Sequence, residues 1–236
     1  MLKAITFDFW DTLYKAPNGQ VLLDRPISAF HQLLQQLGRT VEPERIRSAT
    51  QDCWRYAHEY QLQYGRDITP RGHIDYILQE LQMELTRQEW HQAYQMYTTL
   101  VREQPPQLND GVAETLPRLA EKYKLGVICN TGISPGKILR EIMQADDIFR
   151  WFECLTFSDE VKWAKPNIKI FNYTLENLHV KNHEAAHVGD DIKTDVAGAK
   201  MAGMKAIWLA SQPLECFIDC DYQVNSIAEL VNLFVD

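Results

Sequence analysis

The chain has 236 residues, 45% hydrophobic and 24% charged, which excludes a disordered chain or a small disulfide-stabilised scaffold. Its 24 basic and 32 acidic side chains give a net charge of −8, which disfavours general binding to nucleic acid. No apolar run approaches the roughly 18 residues that span a bilayer. Asp8 also interrupts the apolar N-terminal stretch where a signal peptide would continue. Because the five cysteines are widely scattered, we expect reduced thiols and a cytoplasmic protein that binds no membrane.

The N-terminal half of the chain predicts one strand followed by a block of helices. Residues 3–9 are short and apolar, as in a buried strand of a parallel sheet. From about residue 24 to residue 103 the apolar side chains follow helical spacing, which predicts about four helices and almost no strand. Pro105 and Pro106 end this block because neither residue can continue a helix.

Beyond these prolines, predicted helices and strands alternate. The predicted helices are residues 111–123, 136–144, 167–178 and 192–202, and the predicted strands are 125–129, 152–157, 187–188 and 206–209. Such alternation indicates a parallel sheet covered on both faces. The predicted fold is therefore α/β, a doubly wound parallel sheet with an inserted all-helical domain. Residues 1–15 and 105–236 would form the core, and residues 16–104 the insertion.

Polar residues follow four of the predicted strands, at the edge where a doubly wound sheet binds its ligands. One lysine, several carboxylates and small polar side chains would converge there: Asp8, Asp11 and Thr12 after the first strand, Cys129-Asn130-Thr131 after the second, Lys165-Pro166 after the third, and Gly189-Asp190-Asp191 with Asp195 after the fourth. Carboxylates are hard oxygen ligands that suit Mg²⁺, and a lysine ammonium suits phosphate.

These four segments, in this order, resemble the motifs of the haloacid dehalogenase superfamily, specifically the subfamily IA-like members with a helical cap between the first two motifs. The resemblance covers essentially the whole chain. It implies that Asp8 is the nucleophile and a Mg²⁺ ligand. It implies further Mg²⁺ ligands in the Trp10 backbone carbonyl and Asp190, with Asp191 or Asp195 holding coordinated water. Lys165 would be the catalytic lysine, and Cys129, Asn130 and Thr131 would contact the substrate.

Two residues depart from the motifs of this superfamily. Its phosphatases usually have a second aspartate two residues after the nucleophile, which protonates the leaving group and later activates water. Here that residue is Trp10, which carries no transferable proton, and Asp11 stands where the family usually has glycine. Asp11 should point away from the usual position of the acid, because side chains alternate along an extended segment. Cys129 replaces the usual serine or threonine, and a thiol is a weaker hydrogen-bond donor to phosphate.

The leading hypothesis is a Mg²⁺-dependent hydrolase of a small phosphorylated metabolite that acts through an aspartyl-phosphate at Asp8, as a monomer or homodimer. A haloacid dehalogenase also lacks the second aspartate and typically has an aromatic residue there, but it needs no metal, and the pair Asp190-Asp191 argues against it. Phosphonate cleavage requires a lysine from the cap, and residues 16–103 contain no lysine. A catalytically weak or non-catalytic phosphate-binding protein is the remaining alternative.

Overall fold

The structure is a computed structural model that describes residues 1–16, 19–210 and 219–235, with only the backbone described for residues 19–23. Residues 17 and 18, which belong to the predicted start of the helical insertion, lie outside the described residues. The described secondary structure comprises strands β1 (Ala4–Phe7), β2 (Lys124–Cys129), β3 (Cys154–Phe157), β4 (Ala185–Gly189), β5 (Lys205–Leu209) and β6 (Tyr222–Val224). The helices are α1 (Gly19–Gln36), α2 (Pro43–Tyr64), α3 (Thr69–Glu80), α4 (Arg87–Glu103), α5 (Val112–Ala120), α6 (Gly136–Ala145), α7 (Ser158–Val161), α8 (Ile168–Leu178), α9 (Ala197–Met201) and α10 (Glu229–Phe234).

The six strands form one parallel sheet in the order β3-β2-β1-β4-β5-β6. Strand β1 lies in the middle, paired with β2 on one side and β4 on the other. The chain therefore builds outward from β1 in both directions, and the order reverses between β1 and β4. In open α/β sheets this reversal leaves a crevice at the carboxyl ends of the two strands. The α/β, doubly wound fold predicted from the sequence is confirmed.

Alternating side chains of the strands feed two apolar cores, one on each face of the sheet. Ile5 and Phe7 of β1 pack with α5, α6 and α10 on one face. Ala206 and Trp208 of β5 pack with α8 and α9 on the other. Residues two apart on a strand share a face, so short apolar strands with both faces covered produce this division.

The four helices between β1 and α5 have an apolar core of their own. It is centred on buried side chains from each helix, among them Phe30, Ile46, Ile77 and Tyr97. Helix α2 begins with Pro43 in its first turn and ends at Gly65, whose positive φ of 59° closes the helix. Helix α4 begins with a capping box in which Thr86 and Glu89 satisfy each other's backbone N–H groups. The structure thus has the predicted run of four helices.

Two described elements near the C-terminus were not predicted from the sequence, namely strand β6 and helix α10. Strand β6 has three residues and extends the sheet beyond β5, and α10 packs against the face that holds α5. The predicted helix 192–202 begins instead as a π-helical turn, Ile192–Val196, and continues as α9. Within the described part of the chain, no helix is both long and apolar enough to cross a bilayer.

Candidate active site

The candidate site lies at the crevice between β1 and β4. Asp8 follows β1 directly, and its backbone N–H donates to the carbonyl of Val188 at 2.9 Å. Asp190 follows β4 directly. The parallel ladder between β1 and β4 therefore sets the two aspartates side by side at the carboxyl edge of the sheet.

Lys165 connects two carboxylates of this site through its ammonium group. Its Nζ lies 2.6 Å from Asp8 Oδ1 and 2.5 Å from Asp195 Oδ1. Lys165 is only 1% exposed and Asp8 is 9% exposed, so the three charges meet largely out of water. A buried lysine is rare without paired charges, and here it has two.

A buried histidine contacts the same oxygen of Asp195 as Lys165 does. His187 Nε2 lies 3.1 Å from Asp195 Oδ1, and His187 Nδ1 lies 2.9 Å from the hydroxyl of Thr6. Burial lowers the pKa of His187, so the ring is neutral, with Nε2–H donating to the carboxylate and Thr6 donating to Nδ1. The second Asp195 oxygen accepts the backbone N–H of Asp191 at 3.1 Å. Asp195 is thereby fixed in one orientation.

The pKa shifts in this cluster have opposite signs. Burial raises the pKa of Asp8 well above its usual range, and Asp195 and Asp190 add to the rise while Lys165 opposes it. Burial, with help from Asp195 and Asp11, raises the pKa of Asp190 to about 7. Burial also opposes ionisation of Asp195, but Lys165 and the hydrogen bond from His187 bring its pKa down to about 2. Asp195 is thus the permanent anion that keeps Lys165 charged.

The carboxylates of Asp8, Asp190 and Asp195 could hold a metal ion together. Oxygens of the three groups lie within 4.8 Å of one another. When all three carboxylates are ionised, Lys165 neutralises one of the three negative charges. The two that remain match the charge of a divalent cation. All the donors are carboxylate oxygens, the ligand type that Mg²⁺ prefers, so these residues fit the ion that the sequence predicts.

Asp191, a predicted metal residue, is not brought into this cluster. Its Oδ1 instead accepts the backbone N–H groups of Lys193 and Thr194 at 2.7 and 2.8 Å, which caps the π-helical turn. The exposed N–H groups at a helix start attract a carboxylate, and this local bonding competes with metal ligation. Gly189 is required nearby for a different reason, because a Cβ there would overlap the Asp195 carboxylate.

Trp10 and Asp11 form the turn after Asp8. Trp10 is half-buried and packs edge to face on Phe9, with ring centroids 4.9 Å apart. Asp11 adopts a positive φ of 52°, which explains why the family usually has glycine there. Its Oδ1 accepts the backbone N–H of Ala16 at 3.0 Å, so the carboxylate is engaged with the turn.

The loop after β2 places the predicted substrate contacts beside Lys165. The Asn130 side chain donates to the Lys165 carbonyl at 3.0 Å and accepts the Lys165 backbone N–H at 2.8 Å, which fixes the lysine loop. Cys129 is fully buried, and burial together with Asp8 raises the pKa of its thiol well above the usual range. Cys129 is therefore protonated and no nucleophile.

Thr131 belongs to a hydrogen-bond network that reaches into the helical segment and that the sequence does not predict. Asp67, from the loop between α2 and α3, accepts hydrogen bonds from the hydroxyls of Ser158 and Thr131, the latter at 3.4 Å. Ser158 in turn accepts the backbone N–H of Thr131 at 2.9 Å. Asp67 is 8% exposed, so a carboxylate from a loop of the helical segment is buried against the core beside the site. The only sequence signal was an aspartate two residues before a helix start.

Comparison with known proteins assigns the family. Residues 2–203 match the model of the haloacid dehalogenase-like hydrolases. The chain is 33% identical over 172 residues to the glyceraldehyde 3-phosphate phosphatase of Pyrococcus furiosus, and the match covers 68% of each protein. The chain belongs to the haloacid dehalogenase-like hydrolases. It is therefore a hydrolase, as the sequence predicts.

Solved structures of this family confirm the fold but not the bond that is cleaved. A 2-haloacid dehalogenase from Pseudomonas syringae superposes with a TM-score of 0.72 at 21% identity, covering 99% of this chain and 98% of that one. A haloacid dehalogenase family phosphatase from Thermococcus onnurineus gives 0.67 at 22% identity with the same coverage. Both activities are thus compatible with this fold, and the choice between them depends on the residues of the site.

Proposed function

We propose that this hydrolase is a Mg²⁺-dependent phosphatase that cleaves a small phosphorylated metabolite through an aspartyl-phosphate at Asp8. The observation that carries the proposal is the charged cluster at the crevice between β1 and β4. There Asp8 and Asp190 lie beside the buried Lys165, which forms ion pairs with two carboxylates. A dehalogenase needs no divalent cation, and Asp190, which lies beside Asp8 but outside the pairing with Lys165, has little use without one. The phosphatase name of the Pyrococcus furiosus relative supports the same choice.

In the proposed reaction, an Asp8 carboxylate oxygen attacks phosphorus, and the bond from phosphorus to the leaving oxygen breaks. Water then attacks the aspartyl-phosphate, releases inorganic phosphate and regenerates Asp8. Lys165 lies 2.6 Å from Asp8, so its ammonium would pair with the oxygens of the transferring group. Asp195, which His187 holds in place, keeps Lys165 charged. Trp10 supplies no proton to the leaving oxygen, and solvent water is left to do so.

Asp8, Asp190 and the Trp10 carbonyl are the groups we assign to Mg²⁺, with Asp195 holding coordinated water. When bound, the ion would neutralise the phosphate and favour attack by an anionic carboxylate. Asp191 is assigned to the helix cap instead of the metal. Residues 16–104 would act as a cap over the site, with Asp67 contacting the loop that carries Thr131.

Release of phosphate from a panel of phosphorylated metabolites, with and without Mg²⁺, tests the function. We expect Mg²⁺-dependent release and no halide release from haloacids. Asp190→Asn should abolish the dependence on Mg²⁺ together with activity. Asp191→Asn should retain most of both, because asparagine also caps a helix. Metal-independent release of halide would establish the dehalogenase alternative, and absence of both reactions would establish a binding protein.

The raised pKa of Asp190 predicts a pH-dependent effect of Mg²⁺ on stability. The folded protein binds this proton with a pKa of about 7, against roughly 4 in an unfolded chain. The free-energy cost of burying the ionised Asp190 in the folded protein is therefore relieved as pH falls from about 7 towards about 4. Without Mg²⁺, Asp190→Asn should be more stable than the wild type at pH 8, and the difference should shrink towards pH 5.

Urea unfolding of both proteins across this range measures the effect. The comparison with Asp190→Asn is needed because both proteins also contain the buried His73 and His187. Burial lowers the pKa of these two histidines, so they destabilise the folded protein as pH falls, which is opposite to the effect of Asp190. Mg²⁺ should stabilise the wild type more at pH 8 than at pH 5, since it competes with the proton. A constant difference between the two proteins at all pH values would contradict the assignment.

A further inference from the structure

The loop between α2 and α3 docks on the part of the core that carries Lys165. Three consecutive residues, Gly65, Arg66 and Asp67, form this docking loop, and residues 158–167 form what we call the lysine segment. Gly65 and Asp67 are buried although they lie in a connection between two helices. Loops usually run over the surface, where water satisfies their backbone polar groups, so a buried loop must find partners on the surface that it covers.

Backbone contacts join the docking loop to the two residues before Lys165. Arg66 and Trp163 form an antiparallel β-bridge, and the backbone N–H of Ala164 donates to the Gly65 carbonyl at 3.1 Å. The Arg66 guanidinium also lies over the Trp163 ring, 4.2 Å from its centroid. The backbone that leads into Lys165 is therefore paired with the helical segment.

Gly65 also fits closely against Asn167, two residues after Lys165. A Cβ at Gly65 would lie 2.4 Å from Asn167 Nδ2 and 2.5 Å from Asn167 Cβ, whereas ordinary contacts are 3.4–4 Å. The Asn167 Cβ is attached to the backbone and cannot rotate away. Any side chain at residue 65 must therefore move the docking loop and the lysine segment apart.

Two further residues of the helical segment contact the start of the lysine segment and the residue that holds Lys165 from the core. Asp67 accepts a hydrogen bond from the hydroxyl of Ser158, the first residue of the lysine segment. The Asn130 side chain, which is bonded to the backbone of Lys165, also donates to Gln61 Oε1 of α2 at 3.3 Å. The helical segment thus contacts the lysine segment at both ends and in the middle.

We propose that the docking loop is a positioning element of the active site, in which Gly65 and Asp67 set the backbone from which Lys165 reaches Asp8. The consequence for catalysis rests on the proposed function, whereas the docking itself does not. Lys165 Nζ lies 2.6 Å from Asp8 Oδ1 with little water around the pair, so its interaction with Asp8 is sensitive to small shifts of either backbone. The position of the catalytic lysine therefore depends on the helical segment.

Gly65→Ala tests the inference, and Gly38→Ala is its matched control. Gly38 lies just after α1 and also has a positive φ, 71° against 59°, but a Cβ there would have nothing within 4 Å. Both alanines therefore carry similar backbone strain. Only the alanine at residue 65 would push the lysine segment, by about 1 Å.

We expect Gly65→Ala to lower kcat/KM by at least about tenfold, because a displacement of about 1 Å in an active site can cost about 10²-fold. The loss should be equal for p-nitrophenyl phosphate and acetyl phosphate, since Lys165 acts on the phosphoryl group that the two substrates share. Gly38→Ala should keep the wild-type kcat/KM for both. Thermal unfolding of each variant checks that it is folded.

Asn167→Gly should rescue Gly65→Ala, because it removes the side chain that the new Cβ overlaps. Asn167 caps α8 by accepting the backbone N–H of Lys169 at 3.0 Å, and glycine replaces asparagine as an N-cap at small cost. Asn167→Gly alone should therefore be nearly as active as the wild type. The double variant should return to within about threefold of Asn167→Gly.

Hydrogen exchange followed by mass spectrometry measures the docking without any activity. The Ala164 N–H is bonded to the Gly65 carbonyl, so the lysine segment should exchange at least about tenfold faster in Gly65→Ala than in the wild type. Its exchange should be unchanged in Gly38→Ala. In the double variant it should return to the rate of Asn167→Gly.

The outcomes distinguish this inference from the proposed function. Equal kcat/KM in Gly65→Ala and Gly38→Ala would overturn the positioning role, and so would a loss confined to one substrate or one that Asn167→Gly does not rescue. If neither phosphate is hydrolysed, the proposed function fails alone, and unchanged exchange of the lysine segment in Gly65→Ala would overturn the docking.

Asp67→Asn keeps the inference testable if Gly65→Ala does not fold. Asp67 accepts hydrogen bonds on both carboxylate oxygens, so an amide cannot replace all of them. Asp75→Asn is the control, because Asp75 is an exposed carboxylate of α3 that accepts a hydrogen bond from Trp90 and does not touch the lysine segment. We expect faster exchange of the lysine segment in Asp67→Asn only, and equal exchange in the two variants would overturn the inference.

Discussion

Asp8→Asn should lower phosphate release by roughly 10⁵- to 10⁶-fold, the scale of losing a nucleophile that acts with its supporting residues. The amide is close in shape to the carboxylate, but it neither attacks phosphorus nor accepts a negative charge. The variant should also fail to incorporate phosphate into protein during a single turnover. Rapid quenching in acid, followed by borohydride reduction and peptide mapping, should locate the label of the wild type at Asp8.

The same substitution should not destabilise the protein, and this contrast identifies the role of each aspartate. Burial and two neighbouring carboxylates raise the pKa of Asp8, so its ionised form is a net cost to the fold near neutral pH. Asp195→Asn is the matched change, and there the carboxylate has a pKa of about 2 because it pairs with Lys165 and His187.

Without Mg²⁺ at pH 7.5, we expect Asp8→Asn to be at least as stable as the wild type. Asp195→Asn should lose about 3–5 kcal/mol in free energy of unfolding, the usual cost of breaking a buried ion pair. Functional sites commonly retain such costs for catalysis. Urea denaturation of the three proteins compares them directly. Equal destabilisation by both changes would show that Asp8 has a structural role.

Much of the fold and of the charged cluster followed from local sequence. The short apolar segments around Ile5, Val127 and Ile207 predicted strands buried on both faces, and the polar residues directly after them predicted one ligand-binding edge. Asp8 and Asp190 lie at that edge because adjacent parallel strands end together. Strand β6 escaped prediction because three residues carry too little periodicity to distinguish them from a loop.

The partners of the cluster could not be read from sequence because they depend on packing between distant segments. Thr6 and His187 become neighbours only through the pairing of β1 with β4. Asp67 meets Ser158 only because the helices pack on the core. Asp191 lies outside the cluster for the opposite reason, since its bonding groups are the backbone N–H groups of its own turn.

Trp10 carries the prediction that distinguishes this chain from family members with two aspartates. A positioned general acid contributes about 10²- to 10⁴-fold, and the proposed mechanism lacks one. The first step of the wild type, measured as kcat/KM, should therefore depend strongly on the basicity of the leaving oxygen. Aryl and acyl phosphates, whose leaving groups depart without a proton, should react well, while alkyl phosphates should react slowly. The dephosphorylation step also lacks its usual base, so aryl phosphates, whose first step is fast, should give a burst of product before steady turnover.

Trp10→Asp should raise kcat/KM for alkyl phosphates by about 10²-fold or more and have far less effect on kcat/KM for aryl phosphates. Trp10→Asn is the matched control, because it removes the same indole and restores no proton. The indole is half-buried against Phe9, so both variants lose the same packing, and thermal unfolding should place them together. The difference between them then measures the carboxyl group alone.

Asp11→Asn excludes the neighbouring carboxylate as a hidden acid. Its Oδ1 accepts the Ala16 N–H, and asparagine can accept the same bond and adopt the same positive φ, so the turn should persist. We expect this variant to keep the wild-type dependence on leaving-group basicity. Initial rates over a series of phosphates of graded leaving-group pKa provide the measurement. The opposite result would be a wild-type rate that does not depend on leaving-group basicity, together with an Asp11→Asn rate that does. In that case Asp11 would be the proton donor, and the indole at residue 10 would not explain slow turnover.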